Sequence, residues 1–285
     1  MNVLDRHLVE RVAADLLTSP GLVEKDWHVT RALGVLAGCD HGAAVPAFAG
    51  GTSLSKGWGL IKRFSDDIDF KVAMPAAASR NKAKSERSSY RERVLAALTE
   101  AGFTLAGEPM KRNESSFFSA DLFYPSLFVT GPGLRPHIRI EMSLMPPARP
   151  PIARPIASLI GMAQQKPAEI SAFLCVDPVE TAADKLSALA WRVHARRRGS
   201  DDDDPTIIRH LHDLSALKET VVALSEFTAL VQKAAAGDAG RGGEATASIA
   251  PATLLTSMLD KLATDKLWAS EYEDYVDDGL VRAAR

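Results

Sequence analysis

Asp67 and Asp69 lie one residue apart, with the apolar residues Ile68 and Phe70 beside them. On a strand, residues two apart point to the same face, so we expect both carboxylates to project side by side. At a separation of about 6–7 Å they repel by about 2–3 kcal/mol at an effective dielectric near 20. A cation between them relieves this repulsion, and an all-oxygen site favours Mg²⁺. The alternative is a strand end with two solvated carboxylates, because Asp-x-Asp is common by chance.

The segment Gly50-Gly51-Thr52 precedes these aspartates and adds a possible phosphate site. Glycines let the backbone approach a ligand closely, and successive N–H groups at a helix start bind phosphates. A phosphate site next to two metal-binding aspartates predicts phosphoryl or nucleotidyl transfer. A P-loop is excluded, because Lys56 is preceded by Ser55 and followed by Gly57, where that motif requires glycine and then Ser or Thr.

Glu141 is a candidate third carboxylate. The run 136–145 alternates at period two, so Arg139, Glu141 and Ser143 share one strand face. Glu141 could bind a metal or act as a base toward an attacking hydroxyl. A salt bridge with Arg139 along the strand explains the same residues equally well.

Two further candidate site residues lie in predicted helices in the second half of the chain. Lys185 lies in the predicted helix 178–198 and could reach a triphosphate, although a solvated lysine explains it more simply. Asp213 lies at the edge of an apolar helix face, a position often used for a salt bridge between helices.

The elements that position these residues predict an α+β fold. Helical spacing and strand alternation indicate helices and a small mixed sheet followed by helices only. Asp177 before Pro178 is a good helix start and marks a boundary between domains at 1–176 and 177–285. The predicted strands are 46–49, 67–72, 103–111, 115–124, 136–145 and 168–176, and the predicted helices 4–17, 24–38, 54–61, 79–102, 178–198, 205–217, 219–236 and 250–268. A proline-rich stretch after residue 145 predicts irregular structure.

The composition is that of an ordinary globular protein. The chain has 285 residues and a net charge of −2, which gives no general attraction for polyanions. Cys39 and Cys175 lack metal-ligand spacing and are typical of reduced, apolar cysteines. No apolar run reaches membrane-spanning length, and the first residues lack a signal-peptide pattern. We therefore expect a cytoplasmic protein without membrane contact.

The string from Gly50 to Lys56, followed by Arg63 to Phe70, resembles the first motif of the AbiEii/AbiGii toxin family of nucleotidyltransferases, within the DNA polymerase β-like superfamily. The resemblance covers about residues 20–217. It includes the helix at 24–31 that precedes the motif and the strand at 138–141 that carries the third acidic residue. Looser matches are Lys185 with Arg192, and residues 209–214. This chain has His210 where the last of these helices usually has an aspartate, and an insertion from Arg196 to Pro205.

The resemblance implies a nucleotidyltransferase-type mixed sheet with flanking helices and a helical C-terminal domain. It implies an enzyme that uses Mg²⁺ to transfer a nucleoside monophosphate from an NTP to a cellular acceptor, with the tRNA 3′ end a plausible one. It also implies an antitoxin encoded nearby and a role in phage defence by abortive infection. The alternatives are a protein or small-molecule hydroxyl as acceptor, or a non-catalytic NTP-binding protein.

We predict three overlapping sets of site residues. The metal ligands are Asp67, Asp69 and Glu141. The catalytic set adds Lys185, which neutralises charge on the triphosphate, and Asp213, which orients Lys185 or the nucleotide. The predicted NTP contacts are Gly50, Gly51, Thr52, Lys56 and Lys185.

Overall fold

The chain divides into two compact units, each described here by itself. The computed structural model describes residues 4–65, 67–131, 134–201, 203–221, 224–243, 246 and 248–277. Unit 1 comprises Met1–Gly59 and Phe64–Val176, and unit 2 comprises Leu60–Arg63 and Asp177–Arg285.

A mixed sheet forms the centre of unit 1. Its strand order is β3-β5-β6-β2-β1-β8-β7, and β4 pairs with β5. The β1/β8 and β2/β6 pairs are parallel and the other pairs are antiparallel. The strands are β1 (Val45–Ala49), β2 (Asp67–Ala73), β3 (Thr104–Leu105), β4 (Met110–Arg112), β5 (Phe117–Phe123), β6 (Ile138–Ser143), β7 (Ile152–Ile156) and β8 (Ile170–Cys175).

The alternation of β2 and β6 gives the sheet one apolar and one polar face. Ile68, Phe70 and Val72 of β2 are buried, and the residues between them are half-buried. They share one hydrophobic core with Val29 and Val94, which belong to α2 (Pro20–Gly38) and α4 (Arg80–Glu100). The polar residues of β2 and β6 therefore lie on the face opposite this core.

The described part of unit 1 contains three further helices: α1 (Arg6–Asp15), α3 (Gly50–Lys56) and α5 (Leu159–Ala163). Four predictions were wrong here. Helix α3 begins at Gly50 rather than at Leu54, and α2 begins at Pro20 rather than at 24. The predicted strand 103–111 is two short strands, β3 and β4, and the proline-rich stretch contains strand β7. Strand β7 lies at the end of the sheet, where a proline such as Pro155 need not donate to a second neighbour.

Unit 2 is helical in the parts that the structure describes. Asp177 caps its first long helix, with its carboxylate 2.8 Å from the Val179 N–H. The helices are α6 (Pro178–Ala195), α7 (Ile208–Val221), α8 (Phe227–Gly237), α9 (Pro251–Thr264) and α10 (Leu267–Asp277), with a 3₁₀ turn at Pro205–Ile207.

The helix ends in unit 2 differ from the prediction in three places. Helix α7 runs past 217 to Val221, α8 begins at Phe227 rather than at 219, and the predicted helix 250–268 is two helices. The extended backbone of Asp265 ends α9, and its carboxylate accepts a 3.0 Å hydrogen bond from the Leu267 N–H at the start of α10. The predicted α+β class is confirmed. Among the described helices, none is both long and apolar enough to span a bilayer.

Candidate functional site

The predicted carboxylates of unit 1 lie on adjacent strands of the polar sheet face. Asp69 of β2 is the register partner of Glu141 of β6, and Asp67 is the partner of Arg139. Neighbouring strands are about 4.8 Å apart, so Asp69 and Glu141 place like charges close together. The structure thus brings Glu141 next to the Asp67 and Asp69 strand, as predicted.

The start of α3 lies directly against Asp69. Gly50 has a φ of +71°, and a Cβ built there would overlap the Asp69 carboxylate. Thr52 is fully buried, and its hydroxyl donates a 2.5 Å hydrogen bond to the main-chain carbonyl oxygen of Asp67. Gly50, Gly51 and Thr52 therefore open a helix that is fixed to the aspartate strand by close packing and by this hydrogen bond.

Lys56, at the end of α3, points into a buried polar cluster. Its ammonium lies 2.7 Å from an Asp26 carboxylate oxygen and also contacts the Thr30 hydroxyl and the Ala157 carbonyl oxygen. These three acceptors match the three donors of a lysine ammonium. The contacts that the structure shows for Lys56 thus anchor α3 to α2, and its contact with an NTP stays a prediction.

Two arginines on the polar face pair with aspartates. Arg139 donates two hydrogen bonds to the Asp121 carboxylate, at 2.7 and 2.8 Å. Its main partner is therefore Asp121 and not Glu141, the partner considered from the sequence. These hydrogen bonds hold the pKa of the Asp121 carboxyl below its ordinary value. Arg135 instead contacts Asp67, with Nη2 2.9 Å from Oδ2 and 2.8 Å from Oδ1.

The donor set of this face fits a hard divalent cation. Asp67 Oδ1 is buried and accepts no well-directed hydrogen bond, while Asp69 and Glu141 face each other in register. Within the described ranges, no group of three or more Asp, Glu, His or Cys side chains converges as a complete ligand set. Mg²⁺ is usually held by one or two carboxylates and completed by water and substrate phosphates, so an all-protein cage is not required.

Lys185 and Asp213 belong to unit 2, where they form a buried ion cluster with Arg63. Lys185 Nζ lies 2.7 Å from Asp213 Oδ2, and Arg63 donates to both carboxylate oxygens at 2.6 and 2.7 Å. The Asp213 side chain is 0% exposed and that of Lys185 8%. The sequence-based preference for a solvated Lys185 was therefore wrong, and Asp213 does contact Lys185, as expected.

The charge state of Asp213 follows from these contacts. Burial alone raises the pKa of a carboxyl, but the Lys185 ammonium and the Arg63 guanidinium outweigh it, and the pKa of Asp213 lies well below its ordinary value. Asp213 is therefore ionised at neutral pH and compensates two buried cations.

Sequence reasoning missed two charged partners. Arg135 follows a glycine- and proline-containing stretch without periodicity, and nothing in its neighbourhood indicated a contact with Asp67. Arg63 was part of the recognised motif, but its partner Asp213 is 150 residues away in the chain.

Comparison with known proteins identifies the family of this chain. The profile of the family described as "Nucleotidyl transferase AbiEii toxin, Type IV TA system" matches residues 35–283. The chain is therefore a nucleotidyltransferase. It belongs to the AbiEii family and is the toxin of a type IV toxin–antitoxin system, which implies an antitoxin as its partner.

One solved structure is similar over nearly the whole length. It is MenT4, a nucleotidyltransferase toxin from Mycobacterium tuberculosis H37Rv, with 18% identity and a TM-score of 0.45. The match covers 96% of this chain and 99% of that chain. No curated protein sequence matches significantly.

Replacing Gly50 with alanine should slow nucleotidyl transfer strongly, because the new methyl group displaces the Asp69 carboxylate. A displacement of about 1 Å costs roughly a hundredfold in rate. Gly59 is the matched control, since it also has a positive φ (+64°) but nothing lies within 4 Å of an added Cβ. Gly59→Ala should lose only about 1–2 kcal/mol of stability, as measured by thermal unfolding, and keep its activity. Equal activity of the two variants would contradict the close contact.

Replacing Asp213 with asparagine should destabilise the protein by about 3–5 kcal/mol, because two buried cations lose their counter-charge. Urea unfolding at pH 7 measures this. Asp204→Asn is the control, since its partly exposed pair with Arg192 contributes less than about 1 kcal/mol. The depressed pKa of Asp213 makes its contribution constant above about pH 5, and it is lost only as the pH falls through the folded-state pKa. A destabilisation of Asp213→Asn no larger than that of Asp204→Asn would refute this account.

Proposed function

We propose that this toxin transfers a nucleoside monophosphate from an NTP to a hydroxyl acceptor in a Mg²⁺-dependent reaction. The observation that carries the proposal is the arrangement around Asp69. Its carboxylate lies against the first residue of α3 on one side and beside Glu141 on the adjacent strand. A glycine-containing helix start beside two adjacent carboxylates supports this chemistry, which needs a phosphate site next to metal ligands.

In this proposal Asp67, Asp69 and Glu141 hold the metal. When bound, Mg²⁺ stabilises the charge that develops on the attacking and departing oxygens of an in-line displacement. Gly50, Gly51 and Thr52 position the triphosphate through the backbone of α3. The hydrogen bond from Thr52 to the Asp67 carbonyl oxygen keeps this backbone in register with the carboxylates. Glu141 accepts the proton of the attacking hydroxyl if it is not used as a ligand.

Lys56, Lys185 and Asp213 have different proposed roles because their contacts differ. We propose that Lys56 positions α3 through Asp26, because its three donors face protein acceptors. Lys185 is proposed to offset charge on the triphosphate, with Asp213 fixing its orientation. Their ion pair at 2.7 Å supports the orienting role of Asp213.

We propose the 3′ end of tRNA as the acceptor, which places the reaction in the cytoplasm. An attack on tRNA would stop translation, as expected of a toxin that an antitoxin must control and that can serve phage defence. A labelled NTP incubated with purified tRNA, and separately with cell protein and with small metabolites, tests this acceptor. Label on the tRNA 3′ end supports it, and label only on protein or on a metabolite contradicts it.

The Asp69→Asn variant tests the chemistry itself. Loss of one carboxylate charge should abolish transfer and toxicity while leaving the melting temperature close to that of the wild type, because Asn has nearly the same shape. Asp121→Asn is the matched control, since it removes a carboxylate from the same sheet face but from the pair with Arg139. Transfer by purified Asp69→Asn at the wild-type rate would overturn the mechanism.

A further inference from the structure

Arg135 is the cation that the structure places on a predicted metal ligand. Its Nη2 lies 2.8 and 2.9 Å from the two Asp67 carboxylate oxygens. The Arg135 side chain is 32% exposed and that of Asp67 23% exposed, so the pair is open to solvent on one side. A metal ion at the Asp67 carboxylate would bring positive charge to the group that Arg135 already pairs with, and would therefore weaken the hold of Asp67 on the guanidinium.

The backbone at Arg135 is held in place by buried charged residues of α2. Lys25 is fully buried, and its ammonium lies 2.6 Å from the Arg135 carbonyl oxygen. The neighbouring Glu24 accepts hydrogen bonds from the N–H groups of Leu127 and Phe128, at the other end of the same connection. Burying a lysine ammonium is costly unless it is paired or hydrogen-bonded, and the hydrogen bond to the Arg135 carbonyl oxygen offsets part of this cost. The main-chain carbonyl of Arg135 is therefore anchored to α2 by a buried ammonium.

Arg139 differs from Arg135 although both lie on the same face. Its guanidinium makes two parallel hydrogen bonds to Asp121, and His137 lies 3.5 Å from the same carboxylate. Such two-point pairs are geometrically specific and strong. Arg139 is thus committed to a residue outside the predicted metal site, whereas the partner of Arg135 is itself a predicted ligand.

We propose that Arg135 is a nucleotide-binding residue whose guanidinium pairs with Asp67 in the nucleotide-free protein and moves to the triphosphate when metal and NTP bind. A metal at Asp67 cancels the charge that holds the guanidinium, and the triphosphate brings new negative charge to the same place. Arginine suits this exchange because its planar donors match carboxylate and phosphate oxygens alike. The inference rests on the function proposed above, since it assumes that Asp67 binds the metal of an NTP complex.

Two binding measurements test the exchange without relying on activity. The first is the affinity for Mn²⁺ without nucleotide, and the second is the affinity for a non-hydrolysable NTP analogue with Mg²⁺, both by calorimetry. Arg135→Gln should bind Mn²⁺ about fivefold more tightly, because a partly exposed competitor is gone. It should bind the analogue about tenfold more weakly, because a charged hydrogen bond to phosphate is lost.

Arg139→Gln is the matched control, since it removes one positive charge from the same face, and the hydrogen bonds lost are those to Asp121. Any long-range effect of charge appears in both variants. The change in affinity caused by Arg135→Gln therefore has to be several-fold larger than that caused by Arg139→Gln, both for Mn²⁺ and for the analogue. Equal effects in the two variants would overturn the proposal. Weaker binding of both Mn²⁺ and the analogue by Arg135→Gln would also overturn it, because Arg135 would then only position Asp67.

Arg135→Lys keeps the charge and guards against misfolding of the glutamine variant. A lysine makes a single-point contact, so analogue affinity should lie between those of the wild type and Arg135→Gln. An affinity equal to that of the wild type would count against a guanidinium–phosphate contact. The same measurements distinguish failure of the proposed function from failure of this inference. If the wild-type protein binds neither Mn²⁺ nor the analogue, the proposed function is refuted. If the wild type binds both and the Arg135 variants bind them equally well, only the role of Arg135 is refuted.

Discussion

The structure of unit 1 depends on an electrostatic constraint at the centre of its sheet. Asp69 and Glu141 occupy matching positions on parallel neighbours, with Asp67 two residues away on the same face. The hydrophobic core on the opposite face fixes the two strands in this register, because a shift by one residue would turn Ile68 and Ile140 outward. Apolar burial thus keeps like charges together that would otherwise separate. A cation bound beside these carboxylates would relieve the repulsion between them.

Three charged residues near this sheet are buried and form hydrogen bonds with main-chain groups. Glu24, Lys25 and Asp26 are consecutive and buried in α2, and each is directed to a different segment of chain. Glu24 and Lys25 fix the two ends of the connection between β5 and β6, and Asp26 holds both Lys56 and the N–H of Leu159. One helix turn therefore sets the positions of this connection, of the start of α5 and of α3. The rigidity of the site comes from these charges as much as from the apolar core.

Local patterns in the sequence were sufficient for part of this arrangement. The alternation at 67–72 and at 136–145 predicted which residues share a face, because side-chain direction in a strand depends only on neighbouring positions. The pairing of β2 with β6 was not predictable in the same way, since β3, β4 and β5 intervene in the chain. The Lys25–Arg135 contact joins residues 110 positions apart, and no local period encodes it. Lys185 was misjudged because its counter-charge, Asp213, lies on another helix.

Under the proposed mechanism, a missense mutation of the Gly50 codon should inactivate the toxin. Every missense change there adds at least a Cβ where the Asp69 carboxylate already lies. If Asp69 binds the metal as proposed, cells that lose their antitoxin can inactivate the toxin by one nucleotide change at this codon. Escape mutants selected in that way should therefore include substitutions of a residue that carries neither charge nor side chain. Such mutants would retain all the acidic and basic residues of the site and still be harmless to the cell.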